Sequence, residues 1–90
     1  MYYLLIDEEA RRTLKRIPGH MRRRIALAID ELRQNPRPAG AKALQDELAG
    51  YWRLRIDGYR VIYTIDDETI VVEVVKVDRR GPKTYVGLRS

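Results

Sequence analysis

The chain of 90 residues has no cysteine, a single histidine and few lysines. Without cysteine, disulfides and thiolate chemistry are excluded, and a reducing compartment is permitted. With one histidine and no thiol, neither a zinc cluster nor a Ser-His-Asp or Cys-His arrangement can be assembled. The six glycines are scattered, so no glycine-rich phosphate loop is present. The apolar run Tyr2–Ile6 is too short for a signal-peptide core or a membrane span. No cofactor, no resident metal and no membrane partner are expected, and the chain reads as cytoplasmic.

What the chain does have is arginine. Its 18 basic side chains, most of them arginine, face 13 acidic ones, for a net charge of +5. Such a balance points to nucleic acid, an anionic membrane or an acidic protein as partner. Ninety residues suffice for one modest core, so residues 1–90 are read as a single domain.

Tyr2–Ile6 is apolar on both faces, which suits a strand buried between neighbours. Asp7 is then an N-cap, with Glu8 and Glu9 in the first turn of a helix, where the dipole favours negative charge. Ala10, Leu14 and Ile17 recur at helical spacing up to Pro18-Gly19. A second helix runs from about Gly19 to Gln34, with Met21, Ile25, Ala28, Ile29 and Leu32 on one stripe. Asn35-Pro-Arg-Pro38 stops it. Residues 39–50 read as an irregular connector or a single helical turn.

Then comes the stretch around which the chain is built. Asp57-Gly58 between alternating runs marks a two-residue hairpin. It sets Ile56 opposite Tyr59, Arg55 opposite Arg60, Leu54 opposite Val61, Arg53 opposite Ile62 and Trp52 opposite Tyr63. Side chains alternate along a strand, so Trp52, Leu54, Ile56, Tyr59, Val61, Tyr63 and Ile65 share a core face. Arg53, Arg55 and Arg60 share the other. A third strand over Thr69–Val77 extends the sheet after an acidic turn at Asp67-Glu68. On this reading Ile70, Val72 and Val74 join the core, and Glu73 falls in the row of Arg53 and Ile62. The architecture is α+β, in the order β-α-α-β-β-β, with two antiparallel helices on one face of a small, mainly antiparallel sheet and the other face open.

Directly opposed like charges weaken a hairpin, so stability alone does not explain Arg55 across from Arg60. Read singly, each arginine is a solvated side chain paired with Asp57, Glu73 or Asp78. Read together, with Arg79 and Arg80 one strand away, they make an anion site, and the guanidinium fork matches phosphate oxygens. Tyr85 follows the Gly81-Pro82 turn and can fold back toward the sheet. A lone tyrosine in such a tail is a packing residue, or, because a phenol beside several cations ionises more readily, a candidate proton acceptor in a chain short of other bases. The basic helix segment Arg22-Arg23-Arg24 is a solvated face or a hold on RNA phosphates.

The run Leu48–Tyr63, which contains Gly58-Tyr-Arg-Val-Ile-Tyr63, resembles the RelE/ParE superfamily of bacterial and archaeal toxins. Val77-Asp-Arg-Arg-Gly81, Tyr85, Arg22-Arg-Arg-Ile25 and Asn35-Pro-Arg-Pro38 extend the likeness over nearly the whole chain. The resemblance implies a RelE-like microbial RNase fold and a toxin of a type II toxin–antitoxin system. In its RelE branch the toxin is an endoribonuclease, an mRNA interferase that cuts mRNA in the ribosomal A site and is silenced by a cognate antitoxin. Carried over by position, the catalytic set is Arg53, Arg55, Arg60, Arg79 or Arg80, and Tyr85. Arg22, Arg23, Lys42 and Lys83 are the RNA-binding set. The best-known RelE members carry lysines where this chain has Arg53 and Arg55. Arginine keeps its proton, so these two positions stabilise charge rather than act as acid or base.

The implied chemistry is attack of the RNA 2′-hydroxyl on the adjacent phosphorus, leaving a cyclic phosphate. The implied partners are mRNA, the ribosome and an acidic antitoxin, partly disordered when free, that folds on binding. Two rivals stand beside this reading. One is a ParE-like poison of DNA gyrase with no RNase activity; the other is a non-catalytic binding module.

Overall fold

The computed structural model describes residues 1–79. Strand β1 (Tyr3–Ile6) is followed by helices α1 (Glu8–Arg16) and α2 (Gly19–Glu31) and a two-residue strand β2 (Lys42–Ala43). A 3₁₀ turn (Asp46–Leu48) then leads to β3 (Tyr51–Ile56), β4 (Tyr59–Asp66) and β5 (Val71–Arg79). The strands form one sheet in the order β1-β5-β4-β3-β2. Only the β1–β5 pair is parallel. The α+β reading holds, with one short strand more than the sequence suggests.

β2 arises in the connector, where Ala43 pairs with Trp52 and Lys42 with Arg53. A strand of two residues has no alternation to read, so its signal is invisible before β3 is in place. The same connector also contains the single helical turn, and Gly50, at φ +99°, swings the chain from that turn into β3. A side chain at this φ would be strained.

The core lies between the helices and one face of the sheet. Ala10 and Ile17 of the first helical segment and Ile25, Ile29 and Leu32 of the second meet Leu54, Tyr59, Val61, Tyr63, Val72, Val74 and Val77. All the hairpin members of this set belong to the expected core face. The helical stripes are those the spacing predicts, because burying one apolar face per helix outweighs individual propensities.

Three expectations are corrected. β1 is an edge strand, with Tyr3 68% and Leu5 54% exposed. It has one neighbouring strand, and the helices cover only the face bearing Leu4 and Ile6. Asp7 occupies the N-cap position but makes no capping hydrogen bond; its carboxyl lies beside that of Glu73. The third expected strand begins at Val71 rather than Thr69, and Ile70 is 43% exposed rather than in the core. Asp66 Oδ1 accepts the N–H groups of Glu68 at 3.0 Å and Thr69 at 3.2 Å, and Ile70 sits at φ +52°. The turn is therefore two residues longer, and extended backbone resumes only beyond it. Those N–H groups, Thr69's first, hold the Asp66 carboxyl below the usual carboxylate range.

Two polar contacts fasten the segment after α2 to the sheet. Tyr63, fully buried, donates its hydroxyl to the Pro36 carbonyl at 2.8 Å. Arg37 spans Asp67 with contacts of 2.9 and 3.4 Å and lies over the Trp52 ring at 5.3 Å, while Tyr2 donates to the same carboxylate at 2.7 Å. Burial pushes the Tyr63 phenol up to about 12 from an ordinary 10.0. The neutral phenol is thus the form the fold holds, and its stabilisation is complete below pH 10 and lost as pH rises from 10 toward 12. Tyr63→Phe should lower unfolding free energy at pH 8 by about 1–2 kcal/mol, since it strands a buried carbonyl. At pH 11 the gap to the parent should shrink by about 1.4 kcal/mol, because only the parent's unfolded state ionises there. Urea titrations of both proteins at the two pH values measure this.

Candidate active site

The hairpin pairs as the turn predicts: Arg55 with Arg60, Arg53 with Ile62, Leu54 with Val61. Asp57 takes the left-handed conformation at φ +54°, which Asp tolerates better than most residues. Its carboxylate does not serve the hairpin arginines; it pairs with Arg24 of α2 at 2.9 Å. Arg53, Arg55 and Arg60 accordingly project together from the sheet face away from the helices. Arg55 is exposed, and Arg53 and Arg60 are half-buried.

Between them lies Ile62, fully buried although it faces away from the main core. Its cross-strand neighbours are Arg53 and, on β5, Lys76. Long basic side chains lay their aliphatic stems along apolar surface and keep their charge outward, so Ile62 is the floor of a basic depression. The Nε of Arg53 is buried without a hydrogen-bond partner among the described residues. A buried N–H of this kind is what an anionic ligand satisfies.

The presence of Lys76 in this row is a correction. The pairing of β4 with β5 shifts between Ile62 and Tyr63: Tyr63 faces Val74, whereas Ile62 faces Lys76. Val75 is the extra residue of a β-bulge, and a bulge inverts the alternation beyond it. Glu73 therefore pairs with Thr64 and not with the row of Arg53. Lys76 and Asp78 move to the arginine face, and Val77 enters the core. The sequence does carry a signal for this. Strict alternation from Val72 and Val74 would bury Lys76 and expose Val77, and one inserted residue removes that conflict.

The bulge also decides the place of Arg79. It pairs with Tyr59, on the helix side of the sheet, and its guanidinium lies over the Tyr59 ring at 5.6 Å. Arg79 is thus not gathered with Arg53, Arg55 and Arg60. Arg80, Lys83 and Tyr85 lie outside the described residues. Of the RNA-binding set, Lys42 is exposed and pairs with Arg53, extending the basic row to Lys42–Arg53–Ile62–Lys76. Arg22 and Arg23 stand on α2, across the sheet. Arg22 donates to the carbonyls of Lys15 at 3.3 Å and Ile17 at 3.4 Å, closing the end of α1. His20, also on α2, is exposed and away from this face.

Among the described residues no group of three or more His, Asp or Glu side chains could hold a metal ion. What the open face offers is a grid of cations over an apolar floor, suited to gripping phosphate oxygens and offsetting charge that develops on them.

This geometry has known counterparts. A family model described as "ParE toxin of type II toxin-antitoxin system, parDE" matches residues 4–82. Toxin RelG of Mycobacterium tuberculosis is 35% identical over 81 residues, covering 89% of this chain and 92% of its own. The chain belongs to the RelE/ParE toxins of type II toxin–antitoxin systems. Several of its relatives carry RelE names. The mRNA interferase toxin RelE of Escherichia coli is 29% identical over 79 residues, covering 88% of this toxin and 83% of that one. Among solved structures, the RelBE2 toxin–antitoxin complex of M. tuberculosis contains a chain that superposes with a TM-score of 0.78 at 32% identity. That match covers 88% of the present toxin and 98% of the M. tuberculosis chain.

Glu73, one of the acids expected to pair with the arginines, lies beside Asp7. The Asp7 side chain beside it, and then burial, raise the Glu73 carboxyl above its ordinary value. A carboxyl raised by folding favours the folded state at low pH and opposes it as pH climbs through the folded value. Glu73→Gln removes one charge of this pair and should raise the melting temperature at pH 7.5, with the gain disappearing toward pH 4. A lower melting temperature at pH 7.5 would mean that the toxin uses the Glu73 charge.

Proposed function

We propose that this RelE-like toxin is an endoribonuclease that cleaves mRNA on the ribosome and so halts translation. The observation that carries this reading is the hairpin register, which sets Arg53, Arg55 and Arg60 around one buried floor. The mRNA interferase name of the E. coli relative supports it.

In the proposed reaction Arg60 neutralises the scissile phosphate, and Arg53 and Arg55 grip it and its neighbours. The 2′-hydroxyl is the nucleophile: its oxygen bonds to phosphorus, the bond from phosphorus to the 5′-oxygen of the next nucleotide breaks, that oxygen takes a proton from water, and a cyclic phosphate remains. Tyr85 accepts the hydroxyl proton. With Arg79 occupied over the Tyr59 ring, the role beside the leaving oxygen falls to Arg80. Lys42 and Lys83 hold flanking phosphates on the same strand of RNA, and Arg22 and Arg23 give the outer helix layer a charge suited to a larger RNA surface. Lacking a strong general acid or base, the toxin relies on the ribosome to hold the RNA in line.

Its silencing partner is a cognate antitoxin with an acidic segment, disordered when free, that folds over the basic surface. The M. tuberculosis relative was solved as a toxin–antitoxin complex. No described helix is long and apolar enough to cross a membrane, and the cytoplasm, where ribosomes are met, is the proposed site of action. Gyrase inhibition is the second reading, raised by the ParE description of the family model; the RelE names of the relatives do not favour it.

Primer extension on a reporter mRNA during expression, beside a gyrase supercoiling assay, separates the two. Cuts at codon positions are expected, with supercoiling intact. Arg60→Ala should abolish growth arrest and leave the melting temperature within a few degrees, since its side chain points away from the helices. Tyr85→Phe should keep ribosome binding and lower the cleavage rate about a hundredfold, the low end of what a general base contributes. Full cleavage by Tyr85→Phe would remove the phenol from the mechanism.

A further inference from the structure

The register of β3, β4 and β5 sets three cations around the buried Ile62. Arg53 faces it from β3 and Lys76 from β5, while Arg60 stands two residues along β4 on the same face. Lys76 is there because of the bulge: strict alternation from Val72 and Val74 would bury it, and the extra residue Val75 turns it to the arginine side. Arg60 and Lys76 are diagonal neighbours on an unbroken stretch of the ladder, since Arg60 pairs with Asp78 and Ile62 with Lys76. Such diagonals hold Cβ atoms roughly 7 Å apart, a gap that two long side chains close upon a single phosphate group. The three cations differ in chemistry. A guanidinium effectively never gives up a proton, whereas an ammonium does so when a base forms beside it. Lys42, the other lysine of the row, lies beyond Arg53 and two strands from Arg60.

We propose that Lys76 is a further catalytic residue, the proton donor to the departing 5′-oxygen. The proposal rests on the endoribonuclease reading and names the group through which a proton from water reaches that oxygen. A phosphate held over Ile62 by Arg53 and Arg60 meets Lys76 on the side toward β5. As the bond from phosphorus to the 5′-oxygen breaks, the ammonium passes one proton to that oxygen and keeps the electron pair on nitrogen. The neutral amine then takes a proton from water. Arg80, set beside the same oxygen, offsets its charge but keeps its own proton. Lys76 is half-buried and engaged within the fold. It also borders a groove of about 250 Å³ with Asp78 and with Glu9 and Thr13 of α1, so those two acids are the alternative partners of its charge.

The test uses the full toxin chain, freed of antitoxin, on ribosomes programmed with two versions of one mRNA. One has an ordinary phosphate at the cut mapped by primer extension; the other has sulfur in place of the bridging 5′-oxygen there. A departing thiolate needs no proton, so the second mRNA removes the need for a donor and leaves the other steps in place. Parent, Lys76→Met and Lys76→Arg are compared in single turnover at saturating toxin. Arginine keeps a cation for the phosphate, Asp78 and Glu9 but does not give up its proton. On the ordinary mRNA both variants should cut about a hundredfold more slowly, the low end of what a positioned proton donor contributes. On the sulfur mRNA both should match the parent, and that recovery itself shows that they are folded and bound. Equal losses on the two mRNAs overturn the proposal, and so does a Lys76→Arg toxin that cuts ordinary mRNA at the parent rate. A parent that cuts neither mRNA overturns the endoribonuclease reading and this proposal together, an outcome distinct from the other two.

Discussion

The register of the β3–β4 hairpin is the constraint on which the rest of this molecule depends. Side chains alternate with a period of two, so a slip of one residue would exchange the whole core row with the whole arginine row. Asp57-Gly58 fixes the turn, and the apolar row Trp52, Leu54, Val61 and Tyr63 then fixes the face, because each of these must be buried against the helices. The charged row needs no attraction of its own. Arg53, Arg55 and Arg60 are held together because their neighbours in the chain are held in the core, and the repulsion between them is a cost that the core offsets.

The second constraint is the single extra residue in β5. Val75 converts what would be a buried lysine and an exposed valine into the reverse. Its effect reaches every later position of the strand: Lys76 and Asp78 join the site face, while Arg79 is carried to the other side and settles on the Tyr59 ring. The bulge thus decides the face of Arg79, which the sequence presents as equivalent to Arg80. It also sets Asp78 across from Arg60 in the register of the sheet.

On the function proposed for this toxin, the chemistry rests on an open basic surface. Arginines hold charge and keep their protons, so a site made of them binds and stabilises while proton transfer falls to other groups. That division fits a toxin whose proposed substrate is presented by a much larger RNA machine. It also suits control by a partner, because an open basic face over an apolar floor is a surface that an acidic segment can cover.

The sequence by itself determined the helical stripes, the hairpin turn, the pairing Arg55–Arg60 and the gathering of Arg53 with them, since these follow from local periodicity and turn chemistry. The exclusion of thiol chemistry and of a histidine-based triad was likewise complete in the composition. Only the tertiary structure decided that β1 lies at an edge, that Lys42 pairs into the basic row, that the acidic turn delays β5 by two residues and that Asp57 and Glu73 are engaged away from the arginines. Each of these depends on which segments become neighbours across many intervening residues, and neither periodicity nor turn chemistry encodes that choice. The bulge lies between the two cases. Its trace, a lysine where alternation demands an apolar residue, is written in the sequence, but it becomes legible only once β4 is known to lie alongside.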